Sequence, residues 1–202
     1  MLQSSQGDVD MFPYDGIPPC VVLVGAIGAG KTCLAQVLAY GETLGSLPTT
    51  APLCYNLPGF VLWDTPGDDR FSWTCEPLLK RADLVLYCVA CSDPSSGEMP
   101  EEPSRLETYR RLCAGPVVVV RTKLDLVLHS EDLPEDAPCA SGAAGDFACS
   151  ALFGHGIADL QDFLAAQAAQ LRQVQVLAYG EKPKAKGLVP KRRQKADKEE
   201  CC

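Results

Sequence analysis

The chain lacks several features that would assign it to particular classes of protein. No stretch approaches the ~18 consecutive apolar residues of a membrane-spanning helix, so we expect no transmembrane segment. The N-terminus has no basic region followed by an apolar run, so we expect no secretory signal. Only two histidines are present and no C-x-x-C pair has matching histidines, which argues against a zinc site.

Cysteine, by contrast, is abundant, with eleven residues in the chain. Several lie inside apolar runs that are typical of strands and helices, namely Cys20, Cys33, Cys88 and Cys91. This placement predicts reduced, packed thiols in a cytosolic compartment rather than a disulfide framework. The 202 residues are 47% hydrophobic and 22% charged, which is typical of one folded domain with tails.

The net charge of −8 is unevenly distributed. Residues 181–202 carry eight basic and four acidic residues, a charge of +4, which leaves −12 on residues 1–180. An acidic body argues against a nucleic-acid partner, whereas a basic tail suits an anionic surface. We therefore divide the chain into a flexible leader at 1–18, a folded domain at 19–179 and a basic tail at 180–202.

The most informative stretch is Gly-Ala-Ile-Gly-Ala-Gly-Lys-Thr at 25–32, which has the G-x-x-x-x-G-K-T spacing of a phosphate loop. An apolar run predicts a buried strand before it at 20–24, and helical spacing predicts a helix after it at 33–39. The alternative is a chance glycine-rich turn. A nest of N–H groups at a helix N-terminus suits a triphosphate. The predicted phosphate-binding residues are Gly25, Ala26, Ile27, Gly28, Ala29, Gly30, Lys31 and Thr32. Lys31 is expected on the β- and γ-phosphates and Thr32 on Mg²⁺.

Apolar runs alternate with helical patterns along the rest of the chain. Strands are predicted at 53–57, 60–63, 82–90, 116–120 and 147–149, with Pro58-Gly59 turning the first two into a hairpin. Helices are predicted at 71–81, 104–114 and 157–178, the second with Ser104 as its N-cap and Gly115 as its stop. Loops are predicted at 92–103 and 128–146. This alternation predicts an α/β fold, with a mostly parallel sheet, one antiparallel edge hairpin and helices on both faces.

Five motifs occur in order along the chain: the phosphate loop, Pro48-Thr49-Thr50, Asp64-Thr65-Pro66-Gly67, Thr122-Lys123-Leu124-Asp125 and Cys149-Ser150-Ala151. Together they resemble the Ras superfamily of small GTPases, over roughly residues 20–178. The resemblance implies the P-loop NTPase fold, with a GTP-binding domain at 19–179 that takes GTP or GDP and Mg²⁺. Since each motif follows a strand, we expect all of them at the carboxyl edge of the sheet. A P-loop kinase or ATPase is disfavoured, because the last two motifs would then be coincidences.

The resemblance also implies a role for each motif residue. Asp64 would hold Mg²⁺ and the N–H of Gly67 would meet the γ-phosphate. The Asp125 carboxylate matches the N1–H and N2 donors of guanine, although it is alternatively an ordinary turn aspartate. Thr122 stands where the family usually has Asn, and its shorter side chain is expected to tie the loops less firmly. The full predicted guanine-binding set is Thr122, Lys123, Asp125, Ser150 and Ala151.

The threonine of the first switch region has two candidates. Spacing from the phosphate loop indicates Thr50 as the Mg²⁺ ligand, which makes the predicted metal set Thr32, Thr50 and Asp64. The position directly after a proline indicates Thr49 instead, and either threonine is alternatively a plain loop residue.

Two departures from the family pattern concern hydrolysis. Asp68 stands where a Gln usually orients the attacking water, and a carboxylate cannot both donate and accept as a carboxamide does. Ile27 stands where the family has a small residue, and its bulk would crowd the γ-phosphate. Lys31 and Asp68 are the candidate catalytic residues, and we expect slow intrinsic GTP hydrolysis.

The tail carries eight cations and ends in Cys201-Cys202. This ending resembles the double geranylgeranylation signal of Rab GTPases, and two lipid chains would anchor the protein stably. The alternative is a basic tail with incidental thiols, or a nuclear address through 191–193.

These observations predict a Rab-like, membrane-anchored GTP switch in vesicle or membrane traffic. It would lie on the cytoplasmic face of a membrane, with a cytosolic pool. Its expected partners are an exchange factor, an activating protein, effectors, the prenylation machinery and an anionic membrane surface. The alternative is a GTP-bound, hydrolysis-deficient interaction module or scaffold subunit, for example in an intraflagellar-transport-like assembly.

Overall fold

The structure, a computed structural model, describes residues 17–45, 47–91, 103–127 and 145–179. Within these ranges strands and helices alternate along the chain. The strands are β1 (Cys20–Val24), β2 (Leu53–Leu57), β3 (Phe60–Asp64), β4 (Leu84–Ala90), β5 (Val117–Thr122) and β6 (Asp146–Ala148). The helices are α1 (Lys31–Tyr40), α2 (Ser72–Leu79), α3 (Pro103–Leu112) and α4 (Ile157–Tyr179), with 3₁₀ turns at Asp69–Phe71 and Leu124–Leu126.

The strands form one six-stranded sheet in the order β2-β3-β1-β4-β5-β6. Strands β2 and β3 pair in antiparallel fashion around a turn at Gly59. The φ angle of Gly59 is 95°, a backbone conformation that residues other than glycine rarely adopt. All the other pairs are parallel. The prediction of a mostly parallel sheet with one antiparallel edge hairpin is therefore confirmed.

Two apolar cores cover the two faces of the sheet, and the alternation of side chains along β1 shows how. Val21 and Leu23 point into one core with α1 and α4, whereas Val22 and Val24 point into the other with α2 and α3. Because both faces are covered, the strand is a continuous apolar run rather than an alternating one. Helices on both faces, as predicted, follow from this burial.

The predicted helix and strand bounds differ from the observed ones in a few places. Helix α3 begins at Pro103, so the prediction of Ser104 as its N-cap is wrong. Proline favours the first turn of a helix, where its missing N–H needs no partner. Strand β5 continues to Thr122, two residues beyond the apolar run that predicted it, because it pairs with β4 as far as Ala90.

Several predictions lie outside the described residues. These are most of the leader at 1–18, the loops at 92–102 and 128–144, and the whole tail from 180 onward with its terminal cysteines. Among the helices that the structure describes, none combines the length and the apolar character needed to cross a membrane.

Candidate functional site

Four of the five motifs follow the carboxyl ends of strands and therefore meet at one edge of the sheet, whereas Pro48-Thr49-Thr50 lies between α1 and β2, so the expectation that each motif follows a strand is wrong for it. The phosphate loop follows β1, Asp64-Thr65-Pro66-Gly67 continues from β3, and the loop of Lys123 and Asp125 follows β5. Ser150-Ala151 lies just after β6. The order of the strands thus brings residues more than 100 positions apart to the place where open α/β sheets bind ligands.

The glycines of the phosphate loop allow backbone conformations that other residues rarely adopt. Gly25, Gly28 and Gly30 have φ values of 139°, 77° and 76°. A Cβ atom on Gly25 would lie 2.2 Å from the carbonyl oxygen of Cys88, so no side chain fits there. Gly30 caps α1, and its carbonyl accepts from the N–H of Leu34. The N-terminus of α1 therefore opens into this loop.

Lys31 lies within the loop rather than reaching into solvent. Its side chain is 6% exposed, and its ammonium donates to the carbonyls of Gly25 (2.8 Å) and Ala26 (2.6 Å). The cation is therefore held by the loop that is predicted to cradle phosphates.

Thr32, Asp64 and Thr49 form a hydrogen-bonded cluster next to the phosphate loop. The hydroxyl of Thr32 donates to Asp64 Oδ2 at 2.7 Å and lies 2.9 Å from the hydroxyl of Thr49. Thr49 Oγ1 is itself 3.5 Å from Asp64 Oδ2. Three oxygen-bearing side chains from α1, β3 and the loop before β2 therefore converge on one point.

This cluster fits a hard divalent cation. Asp64 is fully buried, and its Oδ1 has no hydrogen-bond partner among the described residues. Burial raises the pKa of the Asp64 carboxyl, while the Thr32 hydrogen bond, the Lys31 charge and the Thr49 hydroxyl oppose that shift. A buried oxygen without a partner is costly, and Mg²⁺ takes oxygen ligands such as carboxylate and hydroxyl groups. Asp64 and Thr32 would hold the ion together with the phosphates of a nucleotide.

The structure distinguishes the two candidate threonines. Thr49 takes part in the cluster, whereas the side chain of Thr50 is exposed. Of the two candidates, Thr49 is therefore the one that lies with Thr32 and Asp64, and its role as a cation ligand stays a prediction. Spacing from the phosphate loop indicates Thr50 instead, but loop length alone does not determine which hydroxyl reaches Asp64.

Thr122 connects the loop of Lys123 and Asp125 to the phosphate loop. It is 3% exposed, and its hydroxyl donates to the carbonyl of Ala29 at 2.7 Å and lies 3.3 Å from that of Val89. Lys123 follows with a φ of 57°, and Cγ of Lys123 is 3.9 Å from where a Cβ on Gly30 would lie. Thr122 therefore ties the end of β5 to the phosphate loop, and the comparison with Asn stays a prediction.

Asp125 and Ser150 bring the two motifs that are predicted to bind guanine into contact. The Ser150 hydroxyl donates to Asp125 Oδ1 at 2.6 Å, and Ser150 is fully buried. The N–H of Ser150 donates to the carbonyl of His155 at 3.0 Å. Of the predicted pair Ser150-Ala151, the N–H of Ala151 is therefore the one suited to meet a base. The other Asp125 oxygen is suited to the donors of guanine.

The residues expected to control hydrolysis have a different arrangement. Asp68 accepts hydrogen bonds from the backbone N–H of Arg70 (2.9 Å) and from its guanidinium Nε (2.8 Å). These bonds hold the pKa of Asp68 below its usual range. Its neighbour Gly67 packs so closely that a Cβ there would lie 2.5 Å from Ala26, while Ile27 is 63% exposed. Asp68 is therefore an ionised partner of Arg70, a residue that the sequence pattern did not single out.

Comparison with known proteins found relatives at low sequence identity. No protein-family model matches the chain. It is 29% identical over 116 residues to an ADP-ribosylation factor of Encephalitozoon cuniculi, a match covering 55% of this chain and 56% of that protein. It is 27% identical over 129 residues to ADP-ribosylation factor-like protein 14 of Mus musculus, covering 56% and 64%. It is also 27% identical over 139 residues to the Ras and EF-hand domain-containing protein homolog of Mus musculus, covering 62% and 21%.

These relatives are Ras-superfamily proteins, and the chain has the P-loop fold of a small GTPase, with a mostly parallel six-stranded sheet and one antiparallel pair. The match spans about half the length of the first of these relatives and less than two thirds of each of the others. The Rab-like subtype that the tail suggested stays a prediction.

Proposed function

We propose that this chain binds guanine nucleotide together with Mg²⁺ and acts as a GTP-dependent switch. The observation that carries the proposal is the convergence of Thr32, Asp64 and Thr49 beside the phosphate loop, with Asp64 Oδ1 buried and lacking a partner among the described residues. Asp64 would hold a divalent cation through this oxygen, and the cation would supply positive charge for the phosphates of a nucleotide. The similarity to Ras-superfamily proteins supports the same function.

The choice of guanine over adenine rests on Asp125. One of its oxygens accepts from Ser150 at 2.6 Å, which orients the carboxylate, and the other is suited to the two adjacent donors of guanine. Adenine presents an acceptor where guanine presents N1–H, so it would leave this second oxygen of Asp125 unpaired. A site that loses such a pairing discriminates strongly, because the unpaired polar group costs free energy.

Slow hydrolysis is part of the proposal. An attacking water needs a group that both donates and accepts, and the developing charge on the phosphate needs compensation. Asp68 is held by Arg70, and its negative charge opposes the second requirement. Ile27 adds bulk beside the γ-phosphate position. Of the two candidate catalytic residues, Lys31 then remains, and it would act through its positive charge.

We propose that the switch works at a membrane, as a Rab-like protein in vesicle or membrane traffic. The sequence of the tail supports this, because eight cations precede Cys201-Cys202 and suit an anionic lipid surface. Prenylation of these cysteines would place the protein on the cytoplasmic face of a membrane, with a cytosolic pool. Exchange factors, activating proteins, effectors and the prenylation machinery are the partners this function requires.

A second candidate is a GTP-bound interaction module that hardly hydrolyses its nucleotide and serves as a scaffold subunit. The hydrogen bonds between Arg70 and Asp68 favour this candidate, because Asp68 is then not available to orient the attacking water. Identification of the nucleotide that co-purifies with the protein separates the two. Mostly GDP indicates a cycling switch, whereas mostly GTP with negligible single-turnover hydrolysis indicates the scaffold.

The test of guanine binding is calorimetric titration with Mg²⁺ and GTP, ATP or xanthosine triphosphate. We expect the parent to prefer GTP strongly, and Asp125→Asn to lose GTP affinity and gain xanthosine affinity, because the amide donates where the carboxylate accepted. The matched control is Asp162→Asn, which changes an exposed carboxylate on α4. Equal affinity of the parent for GTP and ATP would overturn the proposal.

A further inference from the structure

The loop between α1 and β2 is attached to α1 by one buried side chain. Gln36 lies on the second turn of α1 and is 9% exposed. Its Oε1 accepts from the N–H of Leu44 at 2.9 Å, and its Nε2 donates to the carbonyl of Gly45 at 3.1 Å. The partners determine the orientation of the amide, because an N–H requires an oxygen and a carbonyl requires an NH₂.

A second attachment holds the same loop four residues further on. Thr49 reaches the hydroxyl of Thr32 at 2.9 Å. Thr32 and Gln36 are four residues apart on α1 and therefore lie on one face of the helix, one turn above the other. One face of α1 thus holds the loop at two points. The first turn of this helix contains the last residues of the phosphate loop.

We propose that Gln36 is a positioning residue for the Mg²⁺–GTP site, acting through Thr49. By fixing Leu44 and Gly45 on α1, it shortens the stretch of chain that must close to bring Thr49 to Thr32 and Asp64. This inference rests on the proposed function, because it assigns to Gln36 the placement of a threonine at the cation.

The size of the effect follows from loop closure. Helix α1 ends at Gly41, whose N–H bonds to the carbonyl of Val37. With Gln36 in place the free stretch runs from Gly45 to Thr49; without it, the stretch runs from Gly41 and is twice as long. Doubling a flexible loop weakens its closure about threefold. Leu44 and Gly45 are exposed, so water can replace the two lost hydrogen bonds, and the expected loss stays at about threefold.

The experiment measures release of a fluorescent, non-hydrolysable GTP analogue from the full chain at increasing Mg²⁺. Gln36→Met keeps the side-chain volume and removes both hydrogen bonds. We expect it to raise the half-saturating Mg²⁺ concentration about threefold, without change in far-ultraviolet circular dichroism. The matched control is Gln161→Met, the same change at an exposed position of α4, which is expected to behave as the parent. If Gln36→Met does not fold, Gln36→Glu replaces it, since it keeps the acceptor for Leu44 but loses the donor to Gly45.

The same titration in a Thr49→Val background tests whether Gln36 acts through Thr49. We expect the Gln36 variant to add no further change there, because the group it positions is gone. An equal effect in both backgrounds would mean a merely structural glutamine and would overturn the inference, as would an unchanged Mg²⁺ requirement in the single variant. A parent whose nucleotide retention does not depend on Mg²⁺ would overturn the proposed function, and this inference with it.

Discussion

The contact between Thr122 and the phosphate loop gives a quantitative prediction. The Thr122 hydroxyl has one proton, and at 2.7 Å it is donated to the carbonyl of Ala29. Thr122→Val keeps the shape of the side chain but leaves this carbonyl without its donor, in a place that is almost fully buried. An unsatisfied buried acceptor costs about 1–3 kcal/mol, so we expect about 2 kcal/mol less stability. For a domain of this size, that corresponds to a fall in Tm of about 4–8 °C.

Thr122→Ser is the matched comparison, because it keeps the hydroxyl and loses only a methyl group, worth about 0.8 kcal/mol. Both variants are unfolded in urea at fixed excess GDP and Mg²⁺, since bound ligand adds to the measured stability. We also expect Thr122→Val to release nucleotide faster than Thr122→Ser, because Ala29 belongs to the phosphate loop. A valine variant as stable as the serine variant would show that the Ala29 hydrogen bond contributes nothing, and that Thr122 matters only as volume.

Three further predictions concern hydrolysis, protonation and membrane attachment. Replacing Asp68 by Gln together with Ile27 by Gly is expected to raise single-turnover GTP hydrolysis at least ~tenfold with little change in affinity; a double variant no faster than the parent would place the water on another residue. The raised pKa of Asp64 means that this carboxyl binds a proton more tightly in the folded protein than in the unfolded chain. Metal-free protein is therefore expected to lose stability as pH rises from the ordinary aspartate range through the raised pKa, while Mg²⁺ binding strengthens over the same range because the ion requires the carboxylate. Urea unfolding at several pH values with and without Mg²⁺ measures both trends, and Asp64→Asn, which cannot titrate, is expected to show neither. Deleting Cys201 and Cys202 is expected to release the protein from membranes into the soluble fraction of cells, and unchanged membrane fractionation of the truncated protein would contradict lipid anchoring.

The sequence by itself determined most of the fold, and the reason is local. The apolar run of β1 predicts a strand buried on both faces, the Pro58-Gly59 dipeptide predicts the hairpin turn, and the phosphate loop predicts the junction of β1 and α1. In each case a few adjacent residues restrict the backbone strongly, either through burial or through φ. The same locality explains why the motif positions could be found before any contact was known.

The contacts of the site were decided by the tertiary structure alone. The sequence left two candidates open, since spacing indicates Thr50 and the preceding proline indicates Thr49, and the hydroxyl that reaches Asp64 depends on the path of the loop beside α1. Gln36 itself appears in the sequence only as a polar residue within an apolar helix pattern.

The same holds for Thr122, because its hydroxyl lies 2.7 Å from the carbonyl of Ala29, 93 residues earlier in the chain, and no local pattern predicts that contact. Sequence patterns report what neighbouring residues favour along the chain. A hydrogen bond between distant residues depends on the packing of the strands and loops that carry them, and only the folded sheet brings those together.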